Sequence, residues 1–77
     1  MRITVEFIGA IDRGAYSEIQ EFDVADKISV RKFLETLHFK KEQLNFIQVF
    51  RHDKRLSHFT LLTQGDSLQL MIPVGGG

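Results

Sequence analysis

The chain closes on three glycines, Gly75, Gly76 and Gly77, directly after a run that reads as a buried strand. Glycine adds no packing and loses more backbone freedom on ordering than any other residue. Stability alone therefore gives no reason for such an ending. Two readings stand: a trivial one, a frayed or engineered end, and a chemical one, in which the terminal carboxylate of Gly77 is the expected reactive group, carried on a bare tail that fits a narrow enzyme cleft. The side chains offer less. There is no Cys, so disulfides, thiolate metal sites and a cysteine nucleophile are excluded, and sulfur cannot be held on a side-chain thiol. His38, His52 and His58 show no ligand spacing, and a metal or catalytic site needs convergent ligands. Ser29 reads as a helix cap and Ser67 as a turn residue, whereas a nucleophilic hydroxyl needs a base set against it. The carboxylates are scattered and read as solvated surface. Neither a GxGxxG motif nor a P-loop is present, and no helix follows the glycine run to hold phosphate at its N-terminus. Arg51, Lys54 and Arg55 form a small basic cluster that reads as a soluble turn, with some capacity to steer an acidic partner. No catalytic residue and no metal ligand is expected.

Composition narrows the function classes further. A chain of 77 residues holds one small domain, with a core only just adequate to stand alone. Hydrophobic residues make up 43% and include seven Phe, enough for a compact fold without staples. Ten basic and ten acidic residues cancel. A nucleic-acid binder shows a basic excess or stripe, so that class is not expected. The first residues lack the long apolar stretch of a signal peptide, and nothing is long enough to span a membrane. The expectation is a soluble cytoplasmic protein.

The elements that must position the tail follow from periodicity. Arg2 to Ile8 alternates, with Ile3, Val5 and Phe7 on one face, which argues a strand. Gly9, Asp12 and Gly14 break it. Tyr16 to Val24 resumes a strand with Phe22 and Val24 inward; Ile19 is out of phase, which suggests a bulge or early turn. Val30, Phe33, Leu34 and Leu37 fall at i, i+3, i+4 and i+7, one helical stripe within Val30–Phe39, and Ser29 is its N-cap. Lys41 to Leu44 adds a short helical turn. Phe46 to Arg51 is a third strand. It cannot bury Phe46, Val49 and Phe50 on one face, so Phe50 joins an exposed patch. His52 to Arg55 reads as a polar turn, and Leu56 to Thr63 as irregular or a short edge strand. Gly65 supplies a positive φ in the turn Gln64–Ser67. Leu68 to Ile72 is the last strand, with Met71 opposite in phase to Leu68 and Leu70, and Pro73 ends regular pairing. The order is ββαββ, an α+β arrangement. The last strand can lie beside the first.

The end of the chain is also a pattern. Gly65-Asp66, the strand from Ser67 to Ile72, Pro73-Val74 and the closing glycines resemble the small sulfur-carrier proteins of molybdopterin and thiamin biosynthesis, the MoaD/ThiS family. The spacing matches without a gap. Gly76-Gly77 fall on the family's terminal pair and Gly75 on a small residue. Pro73-Val74 looks closer to the molybdopterin synthase small-subunit type, although Ile72 stands where that type often has a first Pro. The loop with Asp12-Arg13-Gly14 and the capped stripe after Ser29 extend the resemblance more weakly.

The resemblance implies a β-grasp, ubiquitin-like fold: a mixed sheet of four to five strands with one main helix on one face. It implies a domain over residues 1–74 and a flexible tail over 75–77. It also implies a non-enzymatic role. An E1-like enzyme adenylates Gly77 with ATP, and a sulfurtransferase or persulfide donor supplies sulfur to make a thiocarboxylate. An acceptor synthase then takes the sulfur, either the large subunit of molybdopterin synthase or a thiazole synthase. No bound cofactor is implied. Gly75 and Gly76 would supply reach and thinness, and Met71, Pro73, Val74 and Phe50 a partner-binding surface. Two other readings stay open: a protein modifier conjugated through Gly77, and a passive ubiquitin-like interaction domain with an inert tail.

Overall fold

The computed structural model describes residues 1–73. Val74 to Gly77, and with them the expected domain boundary after Val74, lie outside the described residues. Seven elements run in the order β1 (Arg2–Phe7), β2 (Ile19–Asp23), α1 (Val30–Glu35), α2 (Lys41–Leu44), β3 (Gln48–Arg51), β4 (Lys54–Arg55) and β5 (Ser67–Met71). The strands form one mixed sheet in the order β2-β1-β5-β3-β4. β1 is antiparallel to β2 and parallel to β5, and β3 is antiparallel to both β5 and β4.

Alternation decides which face is covered. Ile3, Val5 and Phe7 of β1, Val49 of β3 and Leu68 and Leu70 of β5 are all buried, and Val30, Phe33 and Leu34 of α1 pack into the same core. Phe22 on β2 adds an edge-on contact to Phe33, with ring centroids 5.3 Å apart. Burying a large apolar side chain contributes roughly 1.5–3 kcal/mol, so this layer supplies most of what holds so short a chain together.

Both ends of α1 are set by local hydrogen bonds. The Ser29 hydroxyl accepts from the Lys32 N–H at 3.1 Å, the cap expected of it. The N–H groups of Val30 and Arg31, which no helix can satisfy internally, donate to the carbonyls of Thr60 and His58. The irregular segment after β4 is thereby fixed to the helix start, and it is bridged once more between Ser29 and Leu61. At the other end the Thr36 hydroxyl donates to the Phe33 carbonyl at 2.6 Å, and Leu37 bonds back three residues to Leu34. Such a side-chain bond competes with the helical ladder, so α1 ends at Glu35 and does not reach Phe39. Leu37 still reaches the core.

Four other expectations shift. β2 starts at Ile19 rather than Tyr16, and its pairing with β1 is continuous, so there is no bulge. Ile19 simply faces outward, while Gln20 takes the inward position opposite Val5. β3 starts at Gln48, leaving Phe46 exposed. Lys54 and Arg55 are strand rather than turn: His52 and Asp53 take positive φ (53° and 64°) and close a two-residue hairpin. Loops of that length favour left-handed central residues. β5 ends one residue early, at Met71.

Replacing Phe33 by Ala should cost about 3–5 kcal/mol, comparable with the total stability of a domain this size. Urea unfolding is expected to show a largely or wholly unfolded F33A, against a loss of about 1 kcal/mol for S29A.

Candidate functional site

The last described strand sits at the centre of the sheet. β5 pairs with β1 on one side (Thr4↔Ser67 to Phe7↔Leu70) and with β3 on the other (Gln48↔Met71 to Phe50↔Gln69). The chain therefore leaves the sheet from the middle of one end, beside the start of β3.

The entry to β5 is equally fixed. Gly65 takes φ +82°, the conformation the turn requires. Its N–H donates to the Arg2 carbonyl. Asp66 then receives three side-chain contacts. One oxygen accepts from the Thr63 N–H at 2.8 Å and from the Arg51 guanidinium at 2.9 Å, and the other accepts from the Thr63 hydroxyl at 2.8 Å. The carboxylate side chain is only 9% exposed. Burial pushes the Asp66 carboxyl up, but the Thr63 N–H and hydroxyl and the Arg51 guanidinium together outweigh it and hold the group below the ordinary carboxylate range. Arg51 is thus more than one charge in a solvated cluster: it ties the end of β3 to the start of β5. By local pattern Asp66 belongs to the turn and Arg51 to the basic cluster, and the pairing between them has no local signal.

The face of the sheet away from α1 carries the candidate docking residues. Met71 lies opposite Gln48 and Phe50 opposite Gln69, so the two are diagonal neighbours on adjacent strands, within reach of long side chains. Both are half-buried. One cross-strand row reads Ile19, Glu6, Gln69, Phe50 and Arg55 from edge to edge, and the Gln69 amide donates to Glu6 at 3.4 Å. Ile19, 59% exposed, joins this face. Pro73 is exposed just beyond β5. Of the expected site residues, Met71, Phe50 and Pro73 are therefore placed at one face and one end of the sheet. Val74, Gly75, Gly76 and Gly77 lie outside the described residues.

An open groove of about 370 Å³ runs beside Pro73, lined among others by Phe46, Gln48, Arg55, Leu56 and His58. Phe46 is 66% exposed. The His58 Nε2–H donates to the Ile47 carbonyl at 2.9 Å, which fixes that ring edge. The groove has no local signature in the sequence, because its walls come from three separate segments, 45–48, 55–58 and Pro73. His38 is held elsewhere: its Nε2 lies 2.8 Å from the Asp12 carbonyl, and its ring packs on Gly14. Among the described residues, no group of three or more His, Cys, Asp or Glu side chains converges as a metal site. No described helix is long and apolar enough to cross a membrane.

The fold has clear counterparts among solved structures. SAMP1 from Haloferax volcanii matches over the whole of both chains, with 21% identity and a TM-score of 0.76. The chain has the β-grasp, ubiquitin-like fold. A chain of the complex between subunits 1 and 2 of molybdopterin-converting factor from Helicobacter pylori 26695 matches this β-grasp domain with 28% identity and a TM-score of 0.66, again over the full length of both. No family model matches the sequence. No curated protein matches it either.

The Asp66 clamp has a pH signature. A carboxyl held below its unfolded value contributes stability that is complete above the unfolded pKa and is lost as pH falls through the folded one. Stability should therefore decline on acidification below roughly pH 4. D66N should lose about 1–3 kcal/mol at pH 7 and show a shallower acid decline in urea titrations at pH 7, 4 and 3.

Proposed function

We propose that this protein is a ubiquitin-like sulfur carrier whose reactive group is the terminal carboxylate of Gly77. A carboxylate is a poor electrophile. In this reading an E1-like enzyme converts it with ATP to an acyl-adenylate, releasing pyrophosphate. Sulfide then displaces AMP and gives the thiocarboxylate directly. A persulfide donor in its place displaces AMP to form an acyl disulfide, which a thiol reductant cleaves to the thiocarboxylate with release of the donor thiol. The carrier supplies no catalytic base and binds no nucleotide; those belong to its partners. The glycines act by what they lack. Without Cβ atoms, Gly75 and Gly76 add no bulk that a narrow cleft would exclude, and none that would shield the carbonyl carbon of Gly77 from attack.

The single observation that carries the proposal is the placement of β5. The Gly65-Asp66 turn, the strand at the sheet centre and Pro73 at its exit form one continuous path toward the closing glycines. A β-grasp chain with full-length similarity lies within the molybdopterin-converting factor complex, which favours a molybdopterin synthase large subunit as the sulfur acceptor, with a thiazole synthase next. Met71 and Phe50 on the outer face, with Pro73 and Val74 at the exit, serve as the docking surface for these partners.

The test is mass spectrometry after incubation with an E1-like enzyme, ATP and a sulfide or persulfide source. The expected product carries one sulfur in place of one oxygen at Gly77. Unchanged mass with an enzyme active on its own carrier would sink the proposal, and a ladder of larger conjugates on immunoblots would replace it with a protein modifier. M71E should weaken E1 binding by about tenfold or more, the loss of an anchor worth about 1.4 kcal/mol or above, while leaving the unfolding free energy from urea titration within about 0.5 kcal/mol of wild type.

A further inference from the structure

β2 is the outermost strand on its side of the sheet, with β1 beside it. The bonding between them alternates. At one end the Met1 amine donates to the Val24 carbonyl at 2.7 Å, and the Val24 N–H donates to the Met1 carbonyl at 2.8 Å. At the other end the Phe7 N–H donates to the Glu18 carbonyl at 2.8 Å. In an antiparallel ladder every second residue turns its N–H and C=O toward the partner. Glu18, Gln20, Phe22 and Val24 therefore bond to β1. Ile19, Glu21 and Asp23 turn their N–H groups outward, where no other described strand lies. Such a row can pair with one more extended segment.

Charge decides which segment fits. The stretch from Ala15 to Asp26 holds Glu18, Glu21, Asp23 and Asp26 and no basic residue. Glu21 and Asp23 lie with Ile19 on the outer face, and their side chains are 64% and 78% exposed. Arg2 reaches both, at 4.0 and 3.1 Å, and offsets one of these charges. The far edge of the sheet has the opposite sign, with Lys54 and Arg55 in β4. We propose that the β2 edge takes an extended basic segment of a partner protein as a sixth strand. Main-chain pairing supplies the affinity. Lys or Arg at alternate positions meets Glu21 and Asp23, and the charges select the partner. Between them, apolar side chains reach the other face beside half-buried Phe22. A second copy's β2 is a poor occupant, because it sets carboxylate against carboxylate. A second copy's β4 has the right sign but only two residues. The edge lies two strands from β5, so a segment seated there leaves the exit of that strand clear. The proposal is independent of the reading of Gly77.

The test is nitrogen-15 NMR on the full chain with a blocked peptide of alternating Lys and Val, about six residues long to match a typical strand. At tenfold above its Kd the peptide should slow hydrogen exchange at the Ile19, Glu21 and Asp23 amides by about tenfold. The same peptide N-methylated along its pairing edge should not slow them, and a Glu/Val peptide should not bind. E21K/D23K, changed at two exposed positions, should weaken the Lys/Val peptide by about tenfold or more and accept the Glu/Val one. Unchanged exchange at the three amides at about 1 mM peptide would overturn the proposal. Equal binding of the methylated peptide, or of the Lys/Val and Glu/Val peptides, would do the same. Self-association that protects these amides without peptide would assign the edge to a second copy instead.

Discussion

Everything else in this structure depends on the parallel pairing of the first and last strands. Thr4 to Phe7 meets Ser67 to Leu70 across more than sixty residues of chain. That closure costs loop entropy before any contact rewards it. The return comes from Val5 and Leu70, both wholly buried, with Ile3, Phe7 and Leu68 beside them. Once β5 is held there, β3 adds to its free edge, β4 follows by a hairpin, and α1 closes the inner face. The ladder on both sides of β5 also fixes where the chain leaves the sheet. A strand at the edge would hand the same residues to a frayed rim.

The polar groups around β5 reinforce that position. The Asp66 side chain is partly shielded from water, and three contacts from Thr63 and Arg51 answer its charge. Shielding a carboxylate without partners is costly; here it joins the turn before β5 to the end of β3. The surface pair of Arg2 and Asp23, at 3.1 Å, does a similar job between β1 and β2, but exposed ion pairs of that kind contribute little. Among the described residues, strong polar contacts thus gather at the entry of the strand.

Much of this was legible in the residues. The period-two runs of β1 and β5, the cap at Ser29, the stripe of Val30, Phe33, Leu34 and Leu37, and the left-handed Gly65 all follow local rules, and a ββαββ order follows from them; the β-grasp fold is what the family resemblance at the chain's end implies. What failed to show was non-local. The shortness of α1 depends on the hydroxyl of Thr36. The strand at Lys54 and Arg55 depends on a hairpin through His52 and Asp53, two residues that tolerate a left-handed backbone without announcing it. The apparent misfit of Ile19 came from assuming that every apolar residue of β2 points inward; Gln20 holds that place instead. At the candidate site, Met71, Phe50 and Pro73 were nameable from alternation and chain end, whereas the Asp66–Arg51 clamp and the groove walls at Phe46, Arg55 and His58 arise only when distant segments pack.

The central claim is that the terminal carboxylate of Gly77, rather than any side chain, is the group on which the protein acts. Enzyme-dependent exchange of labelled pyrophosphate into ATP reads the formation of the acyl-adenylate directly. With an E1-like enzyme the free-acid protein should support exchange, and the same protein made with a C-terminal amide at Gly77 should support none. Equal exchange with both forms would contradict the account.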